Sequence, residues 1–203
     1  MFLLVSGGSG AGKSTCLAAL HGRWPSVVVH EDDERPPPPD GAGRRVLLET
    51  FVAEAVTDAR AGRVTLFGAQ STLGELLSCP SAPSVGPIAA CLLDCHDVER
   101  GRRVRARQPD DHGWFGQDHL NWAAFHRMHA ADPTWEPGVV IDDHEDGRWT
   151  GWTRWPRDDP RWHVHVIDTT TATPDQMTEQ LATWVQALLD DPRRAPLRDD
   201  WRR

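Results

Sequence analysis

Residues Gly7, Gly8, Ser9, Gly10, Ala11, Gly12, Lys13, Ser14 and Thr15 read GGSGAGKST and follow directly on the apolar run MFLLV. Glycines at 7 and 12, followed by Lys13 and the Ser14 hydroxyl, have the spacing of a phosphate-binding loop, whose backbone N–H groups converge on nucleotide oxygens. In such a loop Lys13 reaches the β- and γ-phosphates and Ser14 ligates Mg²⁺, with Thr15 beside it. The 22 basic residues comprise a single lysine, Lys13, and 21 arginines. In a composition that has drifted so far toward arginine, a lysine that merely carried charge would not survive. In a tight loop the wide guanidinium fork cannot replace a compact ammonium.

Other residues could complete a transfer site. Glu31, Asp32, Asp33 and Glu34 form an acidic cluster after the apolar run SVVVH. Gln70 stands where the run RVTLFGAQ ends, and its amide suits hydrogen-bond reading of a substrate better than metal ligation. Arg100, Arg103 and Arg107 recur at helical spacing in DVERGRRVRAR, so they share one helix face. Seven of the ten tryptophans fall between Trp114 and Trp162, together with His112, His119, His126, His129 and His144. Rigid aromatics of this kind suit an acceptor pocket, with Trp114 as a substrate contact, and equally suit a satellite core beneath long loops. The histidines read as core or surface residues more readily than as ligands, and Cys91 and Cys95 as buried strand cysteines more readily than as half of a zinc site.

These residues need a scaffold that brings them to one edge. Phe2–Val5, Ser26–His30, RVTLFG, PIAACLLDC and HVHVID are short apolar runs of strand type. Helical periodicity fills the intervals: Gly12 onward, Arg44–Ala61, a short STLGELL segment, Asp97–Arg107, Gln117–Ala131 and Pro174 to about Leu189, the last with Thr173 as N-cap. PPPPDGAG between Arg35 and Gly43 is an exposed loop, and Gly151 and Pro156 oppose a regular helix across RWTGWTRWP. Strands alternating with helices predict a three-layer α/β sandwich around a five-stranded parallel sheet. Ligands then bind outside the C-terminal strand ends, where the glycine loop, the acids after His30, Gln70 and Asp168 all fall.

Length and charge narrow the function. The 203 residues, 39% hydrophobic, suit one domain over 1–190, with a lid or substrate insertion over about 108–161. A loosely held polar tail is expected over 191–203. The net charge of −8 opposes a nucleic-acid partner. No run approaches the roughly 20 apolar residues of a membrane span, so a cytoplasmic protein with no membrane partner is expected. The guanine reader Asn-Lys-x-Asp needs a second lysine, which excludes a standard GTP switch. The sequence sets no oligomeric state.

With a switch excluded, and no signature of a transport or remodelling ATPase in so short a chain, the order of elements from Met1 to about Leu189 resembles the nucleoside-monophosphate-kinase-like P-loop kinases. This group includes adenylate, shikimate and gluconate kinases and the chloramphenicol phosphotransferase type. The specific likeness lies in GGSGAGKST and RVRAR. The resemblance implies ATP and Mg²⁺ as cofactors and phosphoryl transfer to a small-molecule acceptor: a nucleoside, nucleotide, sugar acid or antibiotic hydroxyl. It implies that an acid closing the second strand, Asp32 or else Asp33, orients the acceptor. Arg103 and Arg107 match its Arg-x-x-x-Arg lid, and the loop at Asp168 and Thr169 lies against adenine or simply caps the last helix. The Asp that many of these kinases carry at the end of the third strand is missing here, which shifts the metal onto Ser14, water and the acids at 32 to 34. Another reading is a nucleotide-binding regulatory module with a protein partner at the tryptophan-rich segment.

Overall fold

The computed structural model describes residues 1–36, 40–108, 115–141, 148–198 and 200–202. Trp114, His112, His144 and Pro37 to Pro39 lie outside the described residues. The five apolar runs form strands β1 (Phe2–Ser6), β2 (Val27–Glu31), β3 (Val64–Ala69), β4 (Ile88–Asp94) and β5 (Val164–Asp168). All pair in parallel, in the order β2-β3-β1-β4-β5. The central strand β1 is buried on both faces, which is why it reads as an uninterrupted apolar run instead of an alternating one.

The alternation of side chains divides the core in two. Leu3, Val5, Leu66, Cys91 and Leu93 pack on helices α1 (Lys13–Leu20) and α6 (Pro174–Asp190). Phe2, Leu4, Phe67 and Ala90 point the other way, onto α2 (Gly41–Arg60), α3 (Leu73–Ser78) and Phe125 of α5 (Gln117–Ala131). The arginine-rich α4 (Asp97–Arg107) follows β4 and lays Val104 beneath Gly10. Helix starts are set locally: Asp40 accepts from Gly43 N–H at 2.8 Å, and Thr72 and Thr173 form capping boxes with Glu75 and Gln176. The sandwich is the expected three-layer α/β architecture.

Two expectations about the periphery change. Trp152, Trp155 and Trp162 belong to the second core, with Phe125 and His129 stacked or edge-on among them. Trp152 is fully buried and donates Nε1–H to Ser78 Oγ at 3.0 Å, so of the two readings of these tryptophans the core one applies. Gly151–Arg154 makes a 3₁₀ turn instead of a regular helix. The polar tail is not loosely held. Leu197 exchanges main-chain hydrogen bonds with Ile88 (2.8 and 3.3 Å), and Leu197 and Trp201 are buried against the same core. A few apolar side chains, Ala195 among them, suffice to dock a segment rich in charge. Among the described residues no helix is long and apolar enough to cross a membrane.

Candidate active site

The glycine loop joins β1 to α1. Gly10 and Gly12 have φ of 84° and 108°, left-handed values that favour glycine. Gly12 caps α1 without a side-chain bond, leaving the first helical N–H groups directed at whatever the loop encloses. Lys13 Nζ donates to Gly7 O at 2.7 Å, folding the ammonium back over the loop. Burial lowers the pKa of Lys13, and the carboxylates of Asp32, Glu31 and Asp33 oppose that shift. The lysine therefore faces the acidic cluster.

Glu31 is the acid hydrogen-bonded to Ser14. It closes β2 in register with Gly68 of β3. A Cβ on Gly68 would collide with Leu17 Cδ1 and lie 3.5 Å from Glu31 Cγ, so the bare glycine lets α1 and the Glu31 side chain close over β3. Burial raises the Glu31 carboxyl pKa, against a hydrogen bond with Ser14 and the charge of Lys13. The sequence placed Asp32 and Asp33 beside Ser14. The structure sets Glu31 there instead and turns Asp32 and Asp33, on the 3₁₀ turn Asp32–Glu34, toward a cavity. The glycine opposite Glu31 is the sequence signal that could have pointed to it.

That cavity, about 380 Å³, opens between the ends of β2 and β3, α2 and α5. Asp32, Asp33 and Gln70 line it as expected, joined by Arg35, Arg44 and Trp122, which the sequence did not single out. Asp32 Oδ2 accepts the Gln70 N–H at 3.0 Å, and Gln70 O lies 3.1 Å from both Trp122 Nε1 and His126 Nε2. Trp122 and His126 are one helical turn apart on α5, so this helix fixes the Gln70 main chain and, through it, Asp32. His126 Nδ1 lies 2.9 Å from Ser6 Oγ, at the mouth of the glycine loop. Burial, with the nearby charge of Lys13, pushes the His126 pKa down to about 3, so the ring is neutral. A neutral ring facing the Gln70 carbonyl carries its proton on Nε2 and accepts at Nδ1.

A second cavity, about 490 Å³, lies on the other side of the loop, lined by Gly10, Gly12, Thr15, α4 and Thr170–Thr173. Arg107 borders it and contributes to the lowering of the Lys13 pKa. Arg103 also lines it but is committed to ties. It pairs with Glu99 at 2.9 Å and donates to Thr169 O and Thr170 O at 2.6 and 3.3 Å, binding α4 to the loop after β5. Asp168 and Thr169 do not line this cavity. Asp168 accepts from Thr170 N–H and Oγ1, and fully buried Thr169 bonds Ala11 O and Asp94 O, both at 2.9 Å. The residues of this loop that do line the cavity are Thr170–Thr173, one to five residues further on.

The residues present fit a phosphate group. Arg100 is 1% exposed, and its Nε and Nη1 have no hydrogen-bond partner, although Nε lies 3.3 Å from Asp97 Oδ1 as an ion pair. A Cβ on Gly8 would collide with Arg100 Nη1. A desolvated cation with unused donors against the loop is costly unless an anion shares the site. For Mg²⁺, the oxygen donors at hand are Ser14 and Glu31, hard ligands of the appropriate kind.

No protein-family model matches the sequence, and no curated protein matches it. Solved structures do resemble it. A sugar kinase from Janibacter sp. HTCC2649 superposes with a TM-score of 0.55 at 15% identity over 91% of this chain and 94% of that one. A gluconokinase from Sinorhizobium meliloti 1021 gives 0.52 at 14% identity, covering 93% and 95%. The thymidylate kinase of Candida albicans gives 0.51 at 10% identity, covering 93% and 92%. The chain has the P-loop fold of the nucleoside-monophosphate-kinase-like group.

Proposed function

We propose that the protein is an ATP- and Mg²⁺-dependent kinase that phosphorylates a hydroxyl group of a small molecule. The observation that carries this reading is the pair of cavities flanking one loop, with the lone lysine facing the acids of the first cavity and Arg107 at the second. A switch or motor needs only one such cavity. Bound ATP supplies the γ-phosphoryl group, with Mg²⁺ spreading its charge: the acceptor oxygen forms the new P–O bond as the bond to ADP breaks.

The chain's own residues do the rest. The amides of Gly8–Lys13 and the Lys13 ammonium hold the phosphates, and Ser14 with Glu31 would hold the metal. Asp32, oriented by the Gln70 N–H, takes the acceptor's proton, with Asp33 and the Gln70 amide as further acceptor contacts. Arg107 and Arg100 offset the charge of the migrating group, and Arg103 holds the nucleotide-side loop against α4. The alternative of a regulatory module draws no support from Trp152, Trp155 and Trp162, which are buried in the core. Titration with ATP and Mg²⁺, followed by ADP release with and without hydroxylated acceptors, tests the proposal. Acceptor-dependent release with a phosphorylated product is expected, and acceptor-independent hydrolysis overturns it.

A further inference from the structure

The acceptor cavity has an unusual charge balance. Its two cations, Arg35 and Arg44, are already neutralised by carboxylates of this chain: Arg35 Nη2 pairs with Glu54 at 2.6 Å and Arg44 Nη2 with Glu75 at 3.3 Å. Each guanidinium also lies against a ring, Arg35 4.3 Å from the Phe51 centroid and Arg44 5.0 Å from that of Trp122. Asp32 and Asp33 have no arginine partner among the ion pairs of the described residues. Leaving aside Lys13, which in the kinase reading is engaged by the nucleotide phosphates, two guanidiniums thus face four carboxylates.

An anionic acceptor would have to settle beside Asp32 and Asp33 and take an arginine from its glutamate. The Arg44 pair resists this most. The Glu75 side chain is only 12% exposed, burial already raises its pKa, and Arg44 heads the charges that lower it, ahead of Arg148. Withdrawing Arg44 leaves a buried carboxylate short of its main counter-charge. Hydroxyl groups meet no such barrier. Asp32 and Asp33 accept from them, the Gln70 amide both donates and accepts, and Leu47, Leu48 and Phe67 offer an apolar wall to a ring face.

Resting on the kinase reading above, we infer that the acceptor is a polyhydroxyl compound without phosphate or carboxylate groups, uncharged or amine-bearing. The hydroxyl that attacks the γ-phosphorus passes its proton to Asp32, giving a phosphomonoester and ADP. This excludes nucleoside monophosphates and sugar acids from the range the fold allows.

The test uses matched pairs on the full chain: a nucleoside against its 5′-monophosphate, and glucose and glucosamine against gluconate. Acceptor-dependent ADP release and thermal shift are read in the presence of ATP, and ATP affinity is measured separately. Expected is a response to uncharged or amine-bearing members at least tenfold above their anionic counterparts. Glu75→Gln, which releases Arg44, should narrow that ratio at least tenfold. Should that variant fail to fold, Glu54→Gln at the exposed pair should narrow the ratio in the same direction. Preference of the wild type for an anionic member, or no response to any uncharged or amine-bearing member while ATP binds, overturns the inference and leaves ATP binding standing. Failure to bind ATP overturns the kinase reading itself.

Discussion

Gln70 donates its main-chain N–H to Asp32 Oδ2 over 3.0 Å, and through that bond the residue after β3 aims the first carboxylate beyond β2. The Gln70 carbonyl is held in turn by Trp122 and His126 of α5, and His126 reaches back to Ser6 beside the glycine loop. Helix α5 thereby ties the end of β3 to the end of β1.

Lys13→Ala should leave the fold intact, since among the described residues the hydrogen bond of Lys13 goes to Gly7 O of its own loop, and should lower acceptor-dependent turnover by about 10²- to 10³-fold. Steady-state ADP release alongside circular dichroism checks it; wild-type turnover by the variant would remove Lys13 from the chemistry.

Stability should fall in acid because of His126. Its folded pKa of about 3 lies below the unfolded value of 6.5, so the folded state binds fewer protons than the unfolded one between those values. The stabilisation is complete above pH 6.5 and declines as pH drops toward 3, with about 3 kcal/mol lost by pH 4. His129, pushed down to about 4 by burial, acts in the same window. Urea unfolding at pH 7 and pH 4 should show the loss, and His126→Asn should flatten the slope; an unchanged slope would contradict a buried neutral His126.

Trp152→Ala should cost about 3–5 kcal/mol, because a fully buried indole leaves a large void and its bond to Ser78 Oγ is lost. A melting-temperature change within error would return these tryptophans to the surface.

Arg103→Ala and Arg107→Ala should separate. Arg103 ties α4 to Thr169 and Thr170, so its loss should raise the KM for nucleotide several-fold with little change in kcat. Arg107 makes no such tie among the described residues and faces Lys13, so its loss should lower kcat by about 10²-fold. Equal effects on both constants in the two variants would contradict the division.

Deleting the residues after 194 removes buried Leu197 and Trp201 and the Ile88 bridge. A loss of about 3 kcal/mol or more is expected by chemical denaturation, since indole removal alone is of that order. An unaffected midpoint would mark the tail as dispensable.

The strands and helices were legible because each is a local pattern. MFLLV and PIAACLLDC are apolar runs of strand length, and the helix cap at Thr173 acts within three residues, whereas α2 starts at Gly41 ahead of the expected Arg44 because Asp40 caps it from within a stretch that reads as loop. The glycine loop was legible for the same reason, its spacing being its geometry. Glu31 was not singled out, because its place beside Ser14 depends on the strand order that sets it against Gly68. Trp122, Arg35 and Arg44 were missed because α2 and α5 meet over Gln70 only in three dimensions. Arg103 matched a lid motif on its own helix, and its commitment to Thr169 spans 66 residues.

By itself, then, the sequence determined which segments are strands and helices, that a phosphate-binding loop joins the first pair, and that Lys13 is the cation kept there. Periodicity, capping and loop spacing act over a few residues, so they are written in the order of the chain. Tertiary structure alone decided which acid faces Ser14, which arginines remain available to an anion, and that Trp152, Trp155 and Trp162 fill a core while Trp122 lines a cavity. Burial and charge pairing depend on which distant segments come to share a face of the sheet, and that follows from packing the whole chain.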